Sequence, residues 1–100
     1  MSKTIKELSK LNGRVYVYLA DDEIGNAFME QAESEGFTFG DGVKPTKRKY
    51  DRVMAVNTDQ TINYVGVFGH MAYGSGAKTV GDNLLIRVNY KNYIEKGLLP

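Results

Sequence analysis

The chain has 100 residues, of which 42% are hydrophobic, 13 are basic, 12 are acidic and none is cysteine. This length and composition predict one folded domain over residues 1–100 and exclude disulfides and thiolate metal sites. The net charge of +1 gives no global attraction to nucleic acid or to an anionic membrane. With no signal-peptide block and no run of about 18 apolar residues, we expect a cytoplasmic protein that does not enter a membrane.

The first half of the chain predicts two helices around a strand. Thr4 and Glu7 have the spacing of a capping box, which predicts a short helix ending near Leu11. Valine and tyrosine then alternate over residues 14–20, which predicts a strand with two apolar faces inside the sheet. An Asp-Asp pair follows and caps the principal helix, predicted over residues 23–35 from apolar residues at every fourth position.

The second half of the chain predicts mainly strands. The predicted strands span residues 37–39, 52–57, 61–68 and 84–88, and the second and third of them form a hairpin. The stretch 69–83 shows no clear apolar period and is left without an element, whereas residues 89–95 predict a terminal helical turn. Short connections between strands predict an α+β fold with a mainly antiparallel sheet of about five strands. The principal helix and the short terminal helices are expected on one face of it.

Residues 44–52, here called the basic segment, hold the strongest local charge asymmetry. Its candidate binding residues are Lys44, Lys47, Arg48, Lys49, Tyr50 and Arg52. A flexible cationic loop with an aromatic residue can bind phosphates and stack on a base. It can also contact an acidic partner protein or remain a solvated surface loop, and the sequence leaves these alternatives open.

Residues 69–81, here called the glycine-rich segment, are predicted to form a mobile loop. Its candidate partner- or ligand-binding residues are His70, Tyr73 and Lys78. Backbone N–H groups in this segment and cations in the basic segment could together hold a phosphorylated small molecule such as a nucleotide. Nucleic acid is a less favoured ligand, because the net charge is close to zero.

Catalytic and metal chemistry have little support in the sequence. His70 is the only histidine, and no spacing places a nucleophile such as Ser75 beside it. Asp21 and Asp22 could bind a metal or act as acid and base, but acidic residues at a helix start are typical caps. We therefore predict no catalytic residue, no metal site and no cofactor, and a protein that is not an enzyme.

Four stretches of the chain resemble small uncharacterised proteins that are encoded by phages, prophages and conjugative elements of Gram-positive bacteria. They are RVYVYL at 14–19, EGFTFGDG at 35–42, TINYVG at 61–66 and RVNYKNYI at 87–94. The resemblance carries no catalytic signature and assigns no site residue. It implies a non-catalytic interaction protein of mobile-element origin, with a host or phage protein as its partner, in the role of an inhibitor of host defence.

Overall fold

The computed structural model describes residues 4–97, which form four α-helices, one 3-10 turn and six strands. The helices are α1 (Ile5–Ser9), α2 (Asp22–Ser34), α3 (Gly66–Gly74) and α4 (Tyr90–Lys96), and the 3-10 turn spans Pro45–Lys47. The strands are β1 (Arg14–Tyr18), β2 (Thr38–Phe39), β3 (Val53–Val56), β4 (Thr61–Tyr64), β5 (Thr79–Val80) and β6 (Asn83–Asn89). None of the helices within these described residues is both long enough and apolar enough to cross a membrane.

All six strands belong to one sheet in the order β2-β4-β3-β1-β6-β5. The predicted hairpin of β3 and β4 is confirmed, and β1 lies inside the sheet, antiparallel to β3. β6 runs parallel to β1, and β2 runs parallel to β4. The α+β class is therefore confirmed. The sheet has six strands where about five were predicted, and it is mixed, with three antiparallel and two parallel pairings.

The parallel pairing of β1 and β6 follows from a helix that the sequence did not predict. The chain leaves the sheet at Tyr64 instead of continuing as a strand to residue 68, and Gly66 turns it with φ 71°. Residues 66–74 then form α3, so much of the predicted mobile loop is ordered. α3 carries the chain across the sheet before β6, and a crossover of this kind is what parallel strands need.

The two faces of the sheet are covered by different helices. Val15 and Val17 of β1 pack with buried side chains of α1, α2 and α4. Tyr16 of β1 points to the other face, where it packs with Ala72 and Tyr73 of α3. The prediction that the helices lie on one face is therefore correct for α1, α2 and α4 but wrong for the sheet as a whole, because α3 covers the second face.

The ends of the first two helices follow the predicted caps and are joined by one side chain. The Asp21 carboxylate accepts a hydrogen bond from the Ile24 N–H at 2.9 Å, which caps α2. Near the end of α2, the Glu35 carboxylate accepts hydrogen bonds from the backbone N–H groups of Ile5 and Lys6, at 2.9 and 2.8 Å. Glu35 therefore caps α1 across the fold, in addition to the local cap from Thr4.

Candidate functional site

The basic segment is packed against α2 and is hydrogen-bonded to acidic residues along its length. Thr46 donates from its backbone N–H at 3.1 Å and from its hydroxyl at 2.6 Å to Glu33. The hydroxyl bond, followed by the backbone bond, lowers the pKa of Glu33. Arg48 donates to Asp41 at 2.6 Å, and this bond lowers the pKa of Asp41. The expectation of a flexible loop is therefore corrected, because these contacts hold the segment in place.

Tyr50 is the anchor of the basic segment at the start of α2. Its hydroxyl donates a hydrogen bond to Asp22, and its ring lies directly over the backbone of Gly25. The hydrogen bond to Asp22, together with burial and the nearby carboxylates, raises the pKa of Tyr50. Asp21 and Asp22 are thus used as a helix cap and as a tyrosine acceptor, which agrees with the capping interpretation of this pair.

The remaining cations of the basic segment are exposed but have acidic neighbours. Lys44 and Lys47 lie close enough to Glu33 to help lower its pKa, although less than the hydrogen bonds from the segment itself do. Lys49 and Arg52 line a shallow depression of about 280 Å³ that also contains Asp22. The local positive charge that the sequence indicates is therefore partly neutralised by carboxylates.

The inward face of α3 is built around Tyr73. The Tyr73 ring stacks on Tyr18 with ring centroids 6.1 Å apart, and burial raises its pKa. Arg87 of β6 donates from Nε to the Tyr73 carbonyl at 3.1 Å and from Nη2 to the Ala72 carbonyl at 3.0 Å. Tyr73, a predicted binding residue, thus fixes α3 to the sheet, whereas Lys78 is exposed between α3 and β5.

The outward face of α3 is apolar and exposed. Val67, Phe68 and Met71, here called the α3 apolar face, have 73%, 86% and 62% of their surface accessible. The helix contains no aspartate, glutamate, lysine or arginine. A helix that is apolar all round is normally buried, whereas the outer side of this helix is accessible to solvent.

A hydrogen bond between two side chains joins the basic segment to the glycine-rich segment. His70 Nε2 lies 3.0 Å from Asp51 Oδ2, with the two side chains 36% and 45% exposed. Burial raises the pKa of Asp51, but hydrogen bonds from His70 and from the Arg52 N–H outweigh burial and lower it. Ser75, the nucleophile considered in the sequence, donates to the Ala72 carbonyl.

The predicted site residues therefore divide between the two faces of the sheet. The basic segment lies with α2 on one face of the sheet, and α3 lies on the other face. Asp51, which lies just before β3, is hydrogen-bonded to His70 of α3. Within residues 4–97, no three His, Asp or Glu side chains are grouped so that they could hold a metal ion. The α3 apolar face was missed because α3 itself was not predicted, although the absence of charged residues from 60 to 77 was a visible signal.

The chain matches no protein-family model, no curated protein and no solved structure. No residue role is therefore transferred to it from another protein. The α3 apolar face is identified from exposure, charge and packing alone.

Proposed function

We propose that this protein is a non-catalytic interaction protein that binds a partner protein through the α3 apolar face. The observation that carries the proposal is the accessibility of Val67, Phe68 and Met71 on a helix without charged residues. Removing one such side chain from water stabilises a complex by about 1.5–3 kcal/mol. Covering all three at once provides the apolar centre that protein interfaces use, in which aromatic side chains and methionine are enriched.

The chemistry of this face favours a protein over the other ligand classes. Nucleic acid requires cations that neutralise phosphates, and α3 offers only His70, which is paired with Asp51. Drug-sized molecules require a concave pocket, whereas the three side chains project from the outside of a helix. The partner surface should be apolar and uncharged, since an unpaired charge buried against this face would be costly.

The identity of the partner is proposed from the sequence resemblance. A host or phage protein is the expected partner, and inhibition of a host defence protein is the expected consequence of binding. The alternative, a phosphorylated ligand or nucleic acid held jointly by the basic and glycine-rich segments, has less support. These segments lie largely on opposite faces of the sheet, and the basic segment already carries carboxylate partners.

Site-specific photo-crosslinking tests the proposal. A benzoylphenylalanine crosslinker replaces Phe68 in one protein and Asn26, an exposed residue of α2, in the control. Expression in a bacterial host carrying defence systems, followed by irradiation, is expected to give a discrete adduct from position 68 and none from position 26. Adding Met71→Ser should abolish that adduct.

Three outcomes contradict the proposal. Equal adducts from positions 68 and 26, or none from either, would remove the α3 apolar face as a binding surface. An adduct with twice the mass of the chain would assign the face to a second copy instead of a host or phage protein. Phe68→Ser and Met71→Ser should leave the free energy of unfolding within about 0.5 kcal/mol of the wild type, so loss of the adduct cannot be explained by unfolding.

A further inference from the structure

Part of the sheet face that carries α3 lies beyond the helix and is polar. Side chains alternate between faces along a strand, so Arg14 shares the face of Tyr16, Asn83 shares that of Leu85, and Asn57 and Asn63 share that of Ala55. Three of these polar residues lie on β6, β1 and β4, and Asn57 directly follows β3, which lies between β1 and β4 in the sheet. Together with the turn at Thr58 and Asp59, they line a depression of about 550 Å³, within the size range of small-molecule sites.

Hydrogen bonds hold the amides of this depression in fixed orientations. Asn57 Nδ2 donates to Thr61 Oγ1 at 3.0 Å and to Asn63 Oδ1 at 2.7 Å. Asn63 Nδ2 in turn donates to the Tyr64 carbonyl at 2.7 Å. Both N–H groups of Asn57 are therefore used within the protein, and its Oδ1 accepts no hydrogen bond from another side chain or backbone group of residues 4–97. An acceptor fixed before a ligand arrives costs little entropy on binding.

The depression carries a positive charge from β1 and a negative charge from the β3–β4 turn. Arg14 is exposed and forms no salt bridge with an acidic side chain among residues 4–97. The Asp59 carboxylate in the β3–β4 turn accepts the Thr61 hydroxyl through Oδ1 at 2.5 Å, which orients it and leaves Oδ2 open. Arginine is suited to bidentate contacts with phosphate, whereas carboxylate and amide oxygens accept hydrogen bonds from hydroxyl groups.

We propose that this depression binds the sugar-phosphate unit of a phosphorylated metabolite. The phosphate contacts Arg14, and the sugar hydroxyls donate to Asn57 and Asp59. Among the described residues that line the depression none is aromatic, so none of them stacks on a base, and the sugar and phosphate supply the recognition. The site is separate from the α3 apolar face, and its occupancy does not depend on the proposed protein partner.

Titration calorimetry with defined probes tests this site on the intact protein. Ribose 5-phosphate, glucose 6-phosphate and AMP are the ligands, and inorganic phosphate and free ribose are the controls. We expect at least one of the three ligands to bind more tightly than either control. Arg14→Gln should weaken that binding about 10- to 100-fold, whereas Lys91→Gln, which removes an exposed cation of α4 outside the depression, should leave it unchanged.

The three ligands also separate the sources of the sugar-phosphate unit. Tighter binding of AMP than of ribose 5-phosphate assigns the unit to a nucleotide, and tighter binding of glucose 6-phosphate assigns it to a hexose phosphate. The proposal is overturned if none of the three ligands binds at a ligand concentration of about 10 mM, because the affinity would then be weaker than millimolar. It is also overturned if inorganic phosphate binds as tightly as the sugar phosphates, or if Arg14→Gln and Lys91→Gln weaken binding equally.

Discussion

Replacing Gly25 with alanine tests how the basic segment is anchored to α2. Gly25 is buried in the interior of α2, and a Cβ atom there would lie 2.4 Å from Cδ2 and 2.5 Å from Cγ of Tyr50. Since Cγ is near the backbone end of the side chain, the ring cannot avoid the methyl group by moving its far end alone. Tyr50 must shift and give up its hydrogen bond to Asp22.

The expected effect of Gly25→Ala on the free energy of unfolding is the sum of one stabilising and two destabilising terms. Alanine gains about 1 kcal/mol over glycine within a helix. Overpacking costs about 1–3 kcal/mol, and loss of the Tyr50 hydrogen bond costs about 1 kcal/mol more. We therefore expect Gly25→Ala to lower the free energy of unfolding by about 1–3 kcal/mol. When Tyr50→Ala is already present, only the helix term remains. Gly25→Ala should then raise the free energy of unfolding by about 0.5–1 kcal/mol.

Urea denaturation of the wild type, both single variants and the double variant measures this reversal. The coupling energy between the two positions should be about 2–4 kcal/mol, because the helix term cancels and the overpacking and hydrogen-bond terms remain. Gly40→Ala is the matched control, because a Cβ there meets no atom within 4 Å, and it should be neutral or stabilise by up to about 1 kcal/mol. If Gly25→Ala stabilises the protein equally with and without the Tyr50 ring, the proposed contact does not anchor the segment.

Three further changes test the packing of the fold and the hydrogen bond between Asp51 and His70. Glu35→Ala removes the carboxylate that caps α1 and should cost about 1–3 kcal/mol in urea denaturation, whereas Glu30→Ala, at an exposed position of α2, should stay within about 0.5 kcal/mol. Phe28→Ala removes a fully buried ring and should cost about 3–5 kcal/mol; a cost below 1 kcal/mol would contradict its place in the core. The pKa of Asp51 is lowered in the folded state. The ionised carboxylate therefore stabilises the fold above about pH 4, and this stabilisation is lost as pH falls through the folded-state pKa. Thermal melts below about pH 4 should thus show wild-type stability falling more than that of Asp51→Asn, and parallel curves would refute the role of the His70 contact.

Elements with local signals were predictable from the sequence. The caps at Thr4 and Asp21 fixed where α1 and α2 begin, and Gly36, with φ 88°, lies just past the end of α2 as predicted. The alternation of valine and tyrosine in β1 placed that strand between two covered faces. Each of these signals depends on neighbours within a few positions, so the linear pattern carries it.

α3 has no such local signal. It contains glycine at positions 66, 69 and 74, which disfavours a helix, and it has no polar face that would reveal a helical period. Tertiary packing overrides this weak propensity, because Gly69 is buried where an added Cβ would lie 3.5 Å from the Tyr16 hydroxyl of β1, and because Arg87 of β6 binds the carbonyls of Ala72 and Tyr73 near the end of α3. Both the helix and its exposed apolar face were therefore missed.

The sequence by itself determined the α+β class, the two capped helices, the central strand and the positions of the charged and glycine-rich segments. Only the tertiary structure decided that the basic segment is tied to carboxylates, since its contacts with Glu33 and Asp22 span 13 and 28 residues. The strand order, the second helical layer and the polar depression were decided in the same way. They arise where side chains distant in the chain are brought together, and no local period or spacing encodes such pairings.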